Sequence, residues 1–391
     1  MRNLARVPTV EQLSGNPHPH LARLRAESPV ARVPALDAWL VTGRAPAVEV
    51  MRDDRRFTVD DPRFSTGRVV GPSMLSLDGA DHARHRAAFA SAFRPALTRA
   101  QMSERVPEIA VGLVTSMVGI GPVDLRTALA APLAARSAIA VLGLVDTTPA
   151  EVLEWYAAIV AEVTALGSDP GAPVDTSLMV GIREAVRRTV SVAGSPLAGI
   201  RDGADLTDHE FTANVAVVLF GALETSEAMI TNLMWWVLGD SDLGDRLRAS
   251  PGLRDRAVDE SLRLEPGAAI VDRFSVGPTE IGGVEIAAGD KVTVSLSAAN
   301  RDPAAYRDPD RFSLDRDDEP PHLAFATGPH VCIGAHLARM EARAALDAVL
   351  DRPVATRVAE SGFDPPTGLV FRKPARLVVE LRAPRDSRGG P

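Results

Sequence analysis

One short stretch of the chain holds the residue types best suited to binding a metal. Cys332 is the only cysteine in 391 residues, His330 precedes it by two positions, and Gly328 and Gly334 lie on either side. A thiolate is a soft ligand that suits iron, and the amide dipoles at a helix start favour the thiolate form. Glycines allow positive φ and let a flat partner approach the backbone. The stretch predicts a metal-ligating loop that runs into a helix N-terminus.

A lone cysteine also has three other interpretations. Most often it is a buried small hydrophobe. It could be a catalytic nucleophile, although no sequence signature typical of one surrounds Cys332. Together with His330 it offers two zinc ligands, but the sequence has no second cysteine for a CxxC pair. A zinc protein therefore stays a rival interpretation.

A second candidate group lies within a long apolar segment. Thr207–Glu210 has the pattern of a capping box, and it precedes a helix predicted from Phe211 to about Leu238. Apolar residues lie nearly all round this helix, which predicts that it is buried. A glycine and an acid–alcohol pair, Glu224-Thr225, are costly inside such a helix. The pattern indicates either a kink with a hydrogen-bonded threonine or a bulge that leaves room for a ligand, with polar groups for proton delivery.

Two weaker patterns involve charged residues on helices. His82 and Arg86 are four residues apart on a helix that starts at Asp78, so they share a face. Glu260 and Arg263 form an i, i+3 acid–arginine pair on another helix. Taken alone, each pattern is typical of a solvated helix face and contributes little.

The elements that must position these residues are mostly helical. Short strands are predicted as well: a hairpin over 29–43, a second hairpin with a two-residue Gly-Gly turn over 281–284, and strands near the C-terminus. A hydrophobic content of 46% is ample for a large core. We expect one domain over 1–391, with loose tails over 1–20 and 383–391.

The bulk composition excludes several functional classes. A net charge of −8 argues against a nucleic-acid partner. A single cysteine excludes an intramolecular disulfide and fits a reducing compartment. No run of apolar residues in the sequence reaches the ~20 that a membrane span needs, and the N-terminus has no signal-peptide core. We expect a cytoplasmic protein without a membrane anchor.

The string around the cysteine resembles a known family in its residue types and spacing. The chain is similar to a soluble bacterial member of the cytochrome P-450 family, in which a cysteine thiolate holds haem iron. One position departs from the family pattern, because Ala326 stands where a glycine is usual. The matching residues are Phe325, Gly328, His330, Cys332, Gly334, Leu337, Ala338 and Arg339.

This resemblance implies a fold and a cofactor. The fold is mainly α with small β-sheets, and it holds haem b (iron protoporphyrin IX) between the long buried helix and the cysteine loop. Cys332 is then the metal ligand. The family's haem-contacting positions correspond to His82, Arg86, Ala222, Arg273, Phe325, His330, Cys332 and Gly334.

The resemblance also implies roles for the remaining motifs. Thr225 would hydrogen-bond bound dioxygen, and Glu224 with ordered water would relay protons. Glu260, Arg263 and Arg311 would form a buried ion network that supports the cysteine loop. The 57–76 loop and a set of apolar residues would line the substrate pocket: Leu219, Leu223, Ala269, Ile270, Val271, Leu369 and Val370.

The implied function is a monooxygenase that uses O2 and oxidises a small, largely apolar molecule, with secondary-metabolite tailoring as the expected setting. Electrons would come from a ferredoxin or flavodoxin with its NAD(P)H-dependent reductase, docking near Cys332, where Arg339 and Arg343 could attract an acidic carrier. We expect a monomer. The rival within the same class is a peroxygenase or a haem-binding protein that does not hydroxylate. The Glu224-Thr225 pair argues against it.

Overall fold

The computed structural model describes residues 7–168, 171–351 and 355–382. Its helices are α1 Val10–Ser14, α2 His18–Glu27, α3 Arg44–Arg52, α4 Ser65–Val70, α5 Gly79–Ala90, α6 Pro95–Met102, α7 Arg105–Met117, α8 Ala131–Leu142, α9 Pro149–Ser168, α10 Met179–Val190, α11 Pro196–Asp202, α12 Asp208–Gly239, α13 Ser241–Ala249, α14 Arg254–Leu264, α15 Leu296–Ala299 and α16 Ala335–Leu350. Its strands are β1 Val30–Val33, β2 Ala38–Val41, β3 Phe57–Thr58, β4 Pro122–Asp124, β5 Ile270–Ser275, β6 Thr279–Ile281, β7 Val284–Ile286, β8 Lys291–Ser295, β9 Ala355–Phe363, β10 Pro366–Thr367, β11 Lys373–Pro374 and β12 Leu377–Arg382.

Helix α12 is the axis of the helical part. The predicted capping box is confirmed, since the Thr207 hydroxyl accepts a hydrogen bond from the Glu210 N–H and Glu210 accepts one from the Thr207 N–H. The helix packs against α8, α14 and α16. It is long and apolar enough to span a membrane, but 83% of its apolar window is buried inside the protein. That burial identifies α12 as a core helix.

The strands form small sheets beside the helices. The largest has five strands in the order β1-β2-β8-β5-β3, in which only the β2–β8 pair is parallel. The predicted hairpin over 29–43 is confirmed by the antiparallel β1–β2 pair. The Gly-Gly turn between β6 and β7 is also confirmed, because Gly282 and Gly283 have φ of 56° and 79°, as a type I′ turn requires. Strand β5 carries Arg273 into the interior.

The N-terminal segment differs from expectation. Residues 10–20 are not loose: α1 has a capping box between Thr9 and Gln12, and α2 begins at His18. Leu13 is 4% exposed and packs in a cluster with Leu21 and Leu40. The polar residues and prolines of this segment suggest a loose chain, but apolar contacts of Leu13 and Leu21 hold it in place. Residues 1–6 and 383–391 lie outside the described part, and the single domain stays a prediction.

Candidate active site

The cysteine loop is held in shape by its own backbone. The Cys332 N–H donates to the Phe325 carbonyl at 2.9 Å, and Gly334 is the N-cap of α16. Gly328 has a φ of 80°, and a Cβ on it would lie 2.3 Å from the Met51 carbonyl oxygen, so no larger residue fits. Within this loop Cys332 is exposed. The loop therefore presents a thiol at the start of a helix, as predicted.

The environment of Cys332 acts on its thiol in two opposing ways. Desolvation raises the pKa of the Cys332 thiol, while the Gly334 N–H and the positive charges of Arg86 and Arg339 act to lower it. A bound cation adds a positive charge next to the sulfur and deprotonates a coordinating thiol outright. The position is therefore suited to a metal-bound thiolate.

Helix α12 has an open stripe on one side. Residues spaced by three and four positions share a helix face, and those on this side are either small or less buried than their neighbours. A Cβ built on Gly221 meets no heavy atom within 4 Å. The helix is continuous here, so the predicted bulge is absent, and the opening arises because the side chains are small. The stripe comprises Val217, Val218, Gly221, Ala222 and Thr225.

Leu219 and Leu223 do not belong to this stripe. They are 3% and 1% exposed and pack in the main hydrophobic core. At 100° per residue they lie on the side of α12 opposite the open stripe. Their predicted pocket-lining role is therefore wrong. They are core residues, and Val217 and Val218 are the apolar residues at that end of the stripe.

The acid–alcohol pair is already engaged in local contacts. The Thr225 hydroxyl donates to the Gly221 carbonyl, one turn back, at 2.6 Å. This is the hydrogen-bonded threonine that the sequence allowed. Glu224 is 6% exposed, and its Oε1 lies 3.0 Å from the ammonium of Lys373. The sequence reasoning missed Lys373, although it is one of only two lysines in the chain.

A cluster of polar side chains lies at one edge of the cysteine loop. His82 is 5% exposed, its ring centroid is 4.3 Å from that of His330, and its Nε2 has no hydrogen-bond partner among the described residues. Burial and the nearby charges of His330 and Arg86 lower the pKa of His82 to about 4. His82 and His330 are thus neighbours, with Arg86 close by, and the unpartnered Nε2 of His82 points to a missing hydrogen-bond partner.

His330 is oriented by Asp78, the residue at the predicted start of α5. Asp78 occupies the N-cap position of α5, but its side chain makes no capping hydrogen bond. It accepts instead from His330 Nε2 at 2.6 Å, Thr58 Oγ1 at 2.7 Å and Val59 N–H at 2.7 Å. Although burial opposes them, these hydrogen bonds hold the pKa of the Asp78 carboxyl well below its usual range.

Two arginines complete this edge. Arg273 is 5% exposed, and its one hydrogen bond among the described residues is from Nη1 to the Asp272 carbonyl at 2.7 Å. Burial lowers the pKa of the Arg273 guanidinium, while Asp78 and Asp272 act to raise it. Arg86 donates from Nη2 to the Val331 carbonyl at 2.7 Å. A buried guanidinium with free donors is suited to binding a carboxylate.

Together these observations fit an iron porphyrin with two carboxylate arms. The loop offers the thiol, Gly334 has open space where a Cβ would stand, and the α12 stripe is open at Gly221. His82 and Arg273 hold donors that lack acceptors. The zinc rival lacks ligands, because among the described residues no group of three or more His, Cys, Asp and Glu side chains is placed to hold a metal ion.

The apolar residues predicted near the pocket come from two segments that meet. The Ala269 N–H donates to the Val370 carbonyl at 2.8 Å, while Ile270 and Val271 form the start of β5. A Cβ on Gly267 would lie 2.8 Å from the Thr225 carbonyl oxygen, so this segment abuts α12 at Thr225. Val370 is 43% exposed, whereas Leu369 packs on the cluster around Leu13.

The predicted ion network exists, but its third member is wrong. Glu260 and Arg263 are joined by two hydrogen bonds of 2.8 Å, and the second cation on Glu260 is Arg316, at 2.8 Å from Nε to Oε1. Arg311 is exposed and contributes only its carbonyl, which accepts from Arg263 and Arg316. The sequence motif identified the segment but not the side chain that turns inward.

The proposed carrier-attracting arginines are also already paired. Arg339 Nε lies 2.7 Å from Asp259 Oδ1. Arg343 contacts Asp255 at 2.8 Å and Asp347 at 2.9 Å. Both arginines are therefore paired with neighbouring carboxylates, which favours an ordinary solvated face over a carrier-attracting patch.

Comparisons with known proteins agree with this geometry. A model of the family described as Cytochrome P450 matches residues 252–353. Nocardicin C N-oxygenase of Nocardia uniformis subsp. tsuyamanensis is 33% identical over 382 residues, covering 93% of this chain and 95% of that protein. Cytochrome P450 monooxygenase PikC of Streptomyces venezuelae is 34% identical, with 88% and 85% covered. The crystal structure of CalO2 aligns with a TM-score of 0.84 at 27% identity, covering 95% of this chain and 97% of that one.

Proposed function

The chain belongs to the cytochrome P450 family and is a monooxygenase with haem b as its cofactor, and on that premise we propose which residues do the work and what they act on. Haem held by a thiolate supplies activation of O2 for insertion of one oxygen atom into a substrate. Cys332 is the iron ligand, because it is the chain's only thiol and lies exposed at the start of α16. That position is the single observation that carries the assignment.

The polar edge binds and orients the carboxylate arms of the cofactor. Arg273 and Arg86 pair with the carboxylates, and the unpartnered Nε2 of buried His82 donates to one of them. His330, held by Asp78, stacks against His82 and fixes the orientation of its ring. The surface next to the porphyrin ring would be apolar or free of side chains, and it would be formed by Phe325, Ala222 and Gly334.

We assign proton transfer to the polar side chains at the open stripe of α12. The Thr225 hydroxyl, which donates to the Gly221 carbonyl at 2.6 Å, would be the group that holds a proton at the open stripe of α12. Glu224, the next residue, is the acid that supplies protons through ordered water. The segment from Ala269 to Val271, abutting α12 at Thr225, keeps bulk water away from that face.

The decisive test is the spectrum of the reduced carbonyl complex. Cys332→Ala should abolish the red-shifted band that marks a haem thiolate. Thr225→Ala is the matched control: it should keep the band but divert reducing equivalents to hydrogen peroxide. A retained thiolate band in Cys332→Ala would refute the ligand assignment, and unchanged coupling in Thr225→Ala would count against a role in oxygen activation.

The substrate is a small, largely apolar molecule, and the setting is secondary-metabolite tailoring. The side chains beside the site are mostly apolar, among them Val217, Val218 and Ala269. The relatives include a biflaviolin synthase of Streptomyces coelicolor and a 20-oxo-5-O-mycaminosyltylactone 23-monooxygenase of Streptomyces fradiae. A screen for compounds that shift the haem spectrum should enrich for apolar molecules, and a set of hits dominated by highly charged compounds would contradict this proposal.

Electrons reach the enzyme from a separate redox partner. We assign this role to a ferredoxin or flavodoxin with an NAD(P)H-dependent reductase, acting on a monomer in the cytoplasm. The intact Glu224-Thr225 pair supports O2 use over the peroxygenase alternative. Turnover with a ferredoxin system but not with hydrogen peroxide is expected, and the reverse pattern would favour the peroxygenase. Light scattering tests the monomer.

A further inference from the structure

One half-buried lysine links two carboxylates on α12. The Lys373 ammonium lies 3.0 Å from Glu224 Oε1 and 3.3 Å from Glu227 Oε1. The three side chains are 16%, 7% and 8% exposed, respectively. The only other lysine of the chain is Lys291, on β8. A lysine that bridges two acids at this depth is therefore a specific feature of the site.

The cluster reaches the surface through an arginine. Arg126 Nη1 lies 3.5 Å from Glu227 Oε1, and its side chain is 32% exposed. The four side chains thus form a continuous line of charges from α12, next to Thr225, to solvent. Two acids with two cations leave no formal excess charge within the line.

The electrostatics explain why Lys373 is needed. Glu224 and Glu227 are three residues apart on one helix, where two like charges repel. Desolvation raises the pKa of the Glu227 carboxyl, while Lys373 and Arg126 act to lower it. Without Lys373, one of the two buried carboxylates would have no cation and would take up a proton or move.

The backbone that carries Lys373 is well anchored. Strand β11 pairs with β10, placing Lys373 opposite Thr367. The preceding residue, Arg372, is 2% exposed and donates to the carbonyls of Gly368 at 2.9 Å and Pro366 at 2.7 Å. Its Nε also lies 3.2 Å from Glu265 Oε2. The ammonium therefore extends from a fixed point, which lets it fix the position of Glu224.

We propose that Lys373 is a positioning residue that holds Glu224 beside Thr225 in a charge network running to the surface at Arg126, and that this network sets the supply of protons to the oxygen-binding face of α12. The proposal rests on the proposed function of that face. A proton taken up from bulk water passes through Glu227 to the Glu224 carboxylate, which then releases it toward Thr225, so the network returns to its starting charge.

The first test observes the lysine directly and does not require turnover. With 15N-lysine labelling the protein contains two side-chain ammonium groups, and the holoenzyme can be measured in its diamagnetic reduced carbonyl form. We expect slow hydrogen exchange at Lys373 and fast exchange at Lys291, and a Glu224→Gln variant should alter only the Lys373 signal. Equal, fast exchange at both lysines would overturn the network.

The second test measures proton supply with a heterologous ferredoxin and its reductase, following NADH consumption in H2O and D2O. Lys373→Met should slow consumption by roughly tenfold and enlarge the solvent isotope effect, because a positioned acid contributes about 10²–10⁴-fold and the variant loses part of that. Lys291→Met is the matched control and should change neither. Lys373→Arg should restore most of the rate and covers the case in which the methionine variant folds poorly.

The outcomes separate this inference from the proposed function. If Lys373→Met and Lys291→Met give the same rate and isotope effect, with intact carbonyl spectra, the proton-supply role is overturned. If the wild-type protein lacks the thiolate carbonyl band, the proposed function fails, while the ammonium exchange of Lys373 still tests the network.

Discussion

Two buried charge clusters support opposite sides of the site, and they are built differently. Beneath the cysteine loop, Glu260 receives both Arg263 and Arg316 as well as the Ser313 N–H at 2.8 Å. The remaining Arg263 donors reach the carbonyls of Asn300 at 2.9 Å and Pro309 at 2.7 Å. On α12, by contrast, Glu224 and Glu227 share the ammonium of Lys373, and the only further cation paired with them among the described residues is Arg126, at 3.5 Å from Glu227.

This difference separates a scaffold from a device that can change its protonation. A network in which every donor and acceptor is matched resists rearrangement, because any movement leaves a buried group unpaired. The Glu260 network ties α14 to the segment before the cysteine loop in this way. Two acids around one lysine have an alternative arrangement, in which one acid is protonated. The saturated cluster fixes the loop, and the sparser one is suited to moving protons.

The largest effect should follow from breaking the saturated cluster. Glu260→Ala leaves Arg263 without its anion and Arg316 with Glu319 alone, which should cost about 3–5 kcal/mol of unfolding free energy. Urea denaturation of the holoenzyme measures it, and haem should be lost early. Glu154→Ala, at an exposed position on α9, is the control and should stay within about 0.5 kcal/mol of wild type. Equal midpoints for the two variants would contradict the scaffold role.

Another buried acid, which has no cation among the described residues, sharpens the comparison. Glu341 on α16 is 1% exposed, has Ser226 and Ser137 as polar neighbours, and its burial raises the pKa to about 8. The folded protein therefore holds a proton that the unfolded chain releases, so stability is full below the unfolded pKa and falls as pH rises toward the folded value.

As the pH rises from about 5 to about 8, the wild type should therefore lose about 2–4 kcal/mol of unfolding free energy relative to Glu341→Gln. Urea midpoints at both pH values for the two proteins measure the difference. Glu154→Gln serves as the control and should show no pH-dependent difference. A wild type whose stability advantage over Glu341→Gln grows with pH would mean that Glu341 is ionised in the fold.

Two variants test which arginine supports Glu260 with its side chain, Arg316 or Arg311. Arg316→Ala should cost about 1.5–3 kcal/mol, since it removes charge-assisted hydrogen bonds to Glu260 and Glu319. Arg311→Ala should stay within about 0.5 kcal/mol, because only the Arg311 carbonyl takes part. Urea denaturation midpoints of the two variants measure this difference. A larger loss of stability in Arg311→Ala than in Arg316→Ala would support the sequence-based assignment of Arg311.

The sequence located the segments of the site better than it located the side chains that act. Cys332 is predictable because the whole string around it resembles the family's cysteine loop, and Gly328 because a tight loop needs a residue that tolerates positive φ. The motif points to Arg311 and gives no sign of Arg316, because it does not say which of two nearby arginines turns inward. Lys373 was missed since its contact with Glu224 joins positions far apart in the chain.

The direction in which side chains leave α12 explains why the pocket assignment of Leu219 and Leu223 is wrong. A helix that is apolar all round has no hydrophobic face from which to infer direction. The sequence pattern therefore does not show that Leu219 and Leu223 lie on the side of α12 opposite Gly221. In the structure, the burial of each residue shows which side of α12 it lies on, and Gly221 and Thr225 lie on the open side.

The smallest predicted effect concerns a strained residue within the otherwise well-fixed loop. Ala326 has a φ of 57°, a conformation that costs an L-residue about 1–2 kcal/mol, and its N–H donates to the Leu323 carbonyl at 2.8 Å. Ala326→Gly should relieve this strain but gains chain entropy when unfolded, worth about 0.4–1 kcal/mol. The net expectation is stabilisation by about 0.5–1 kcal/mol.

Ala324→Gly is the matched control for Ala326→Gly. It makes the same change two residues earlier, where φ is not positive, so it should destabilise by about 0.4–1 kcal/mol. Opposite shifts of the two thermal midpoints would show that the positive φ at Ala326 is strained in solution. Equal losses in both variants would mean that the loop relaxes around Ala326, and then the cysteine side of the site is less rigidly fixed than its saturated ion network implies.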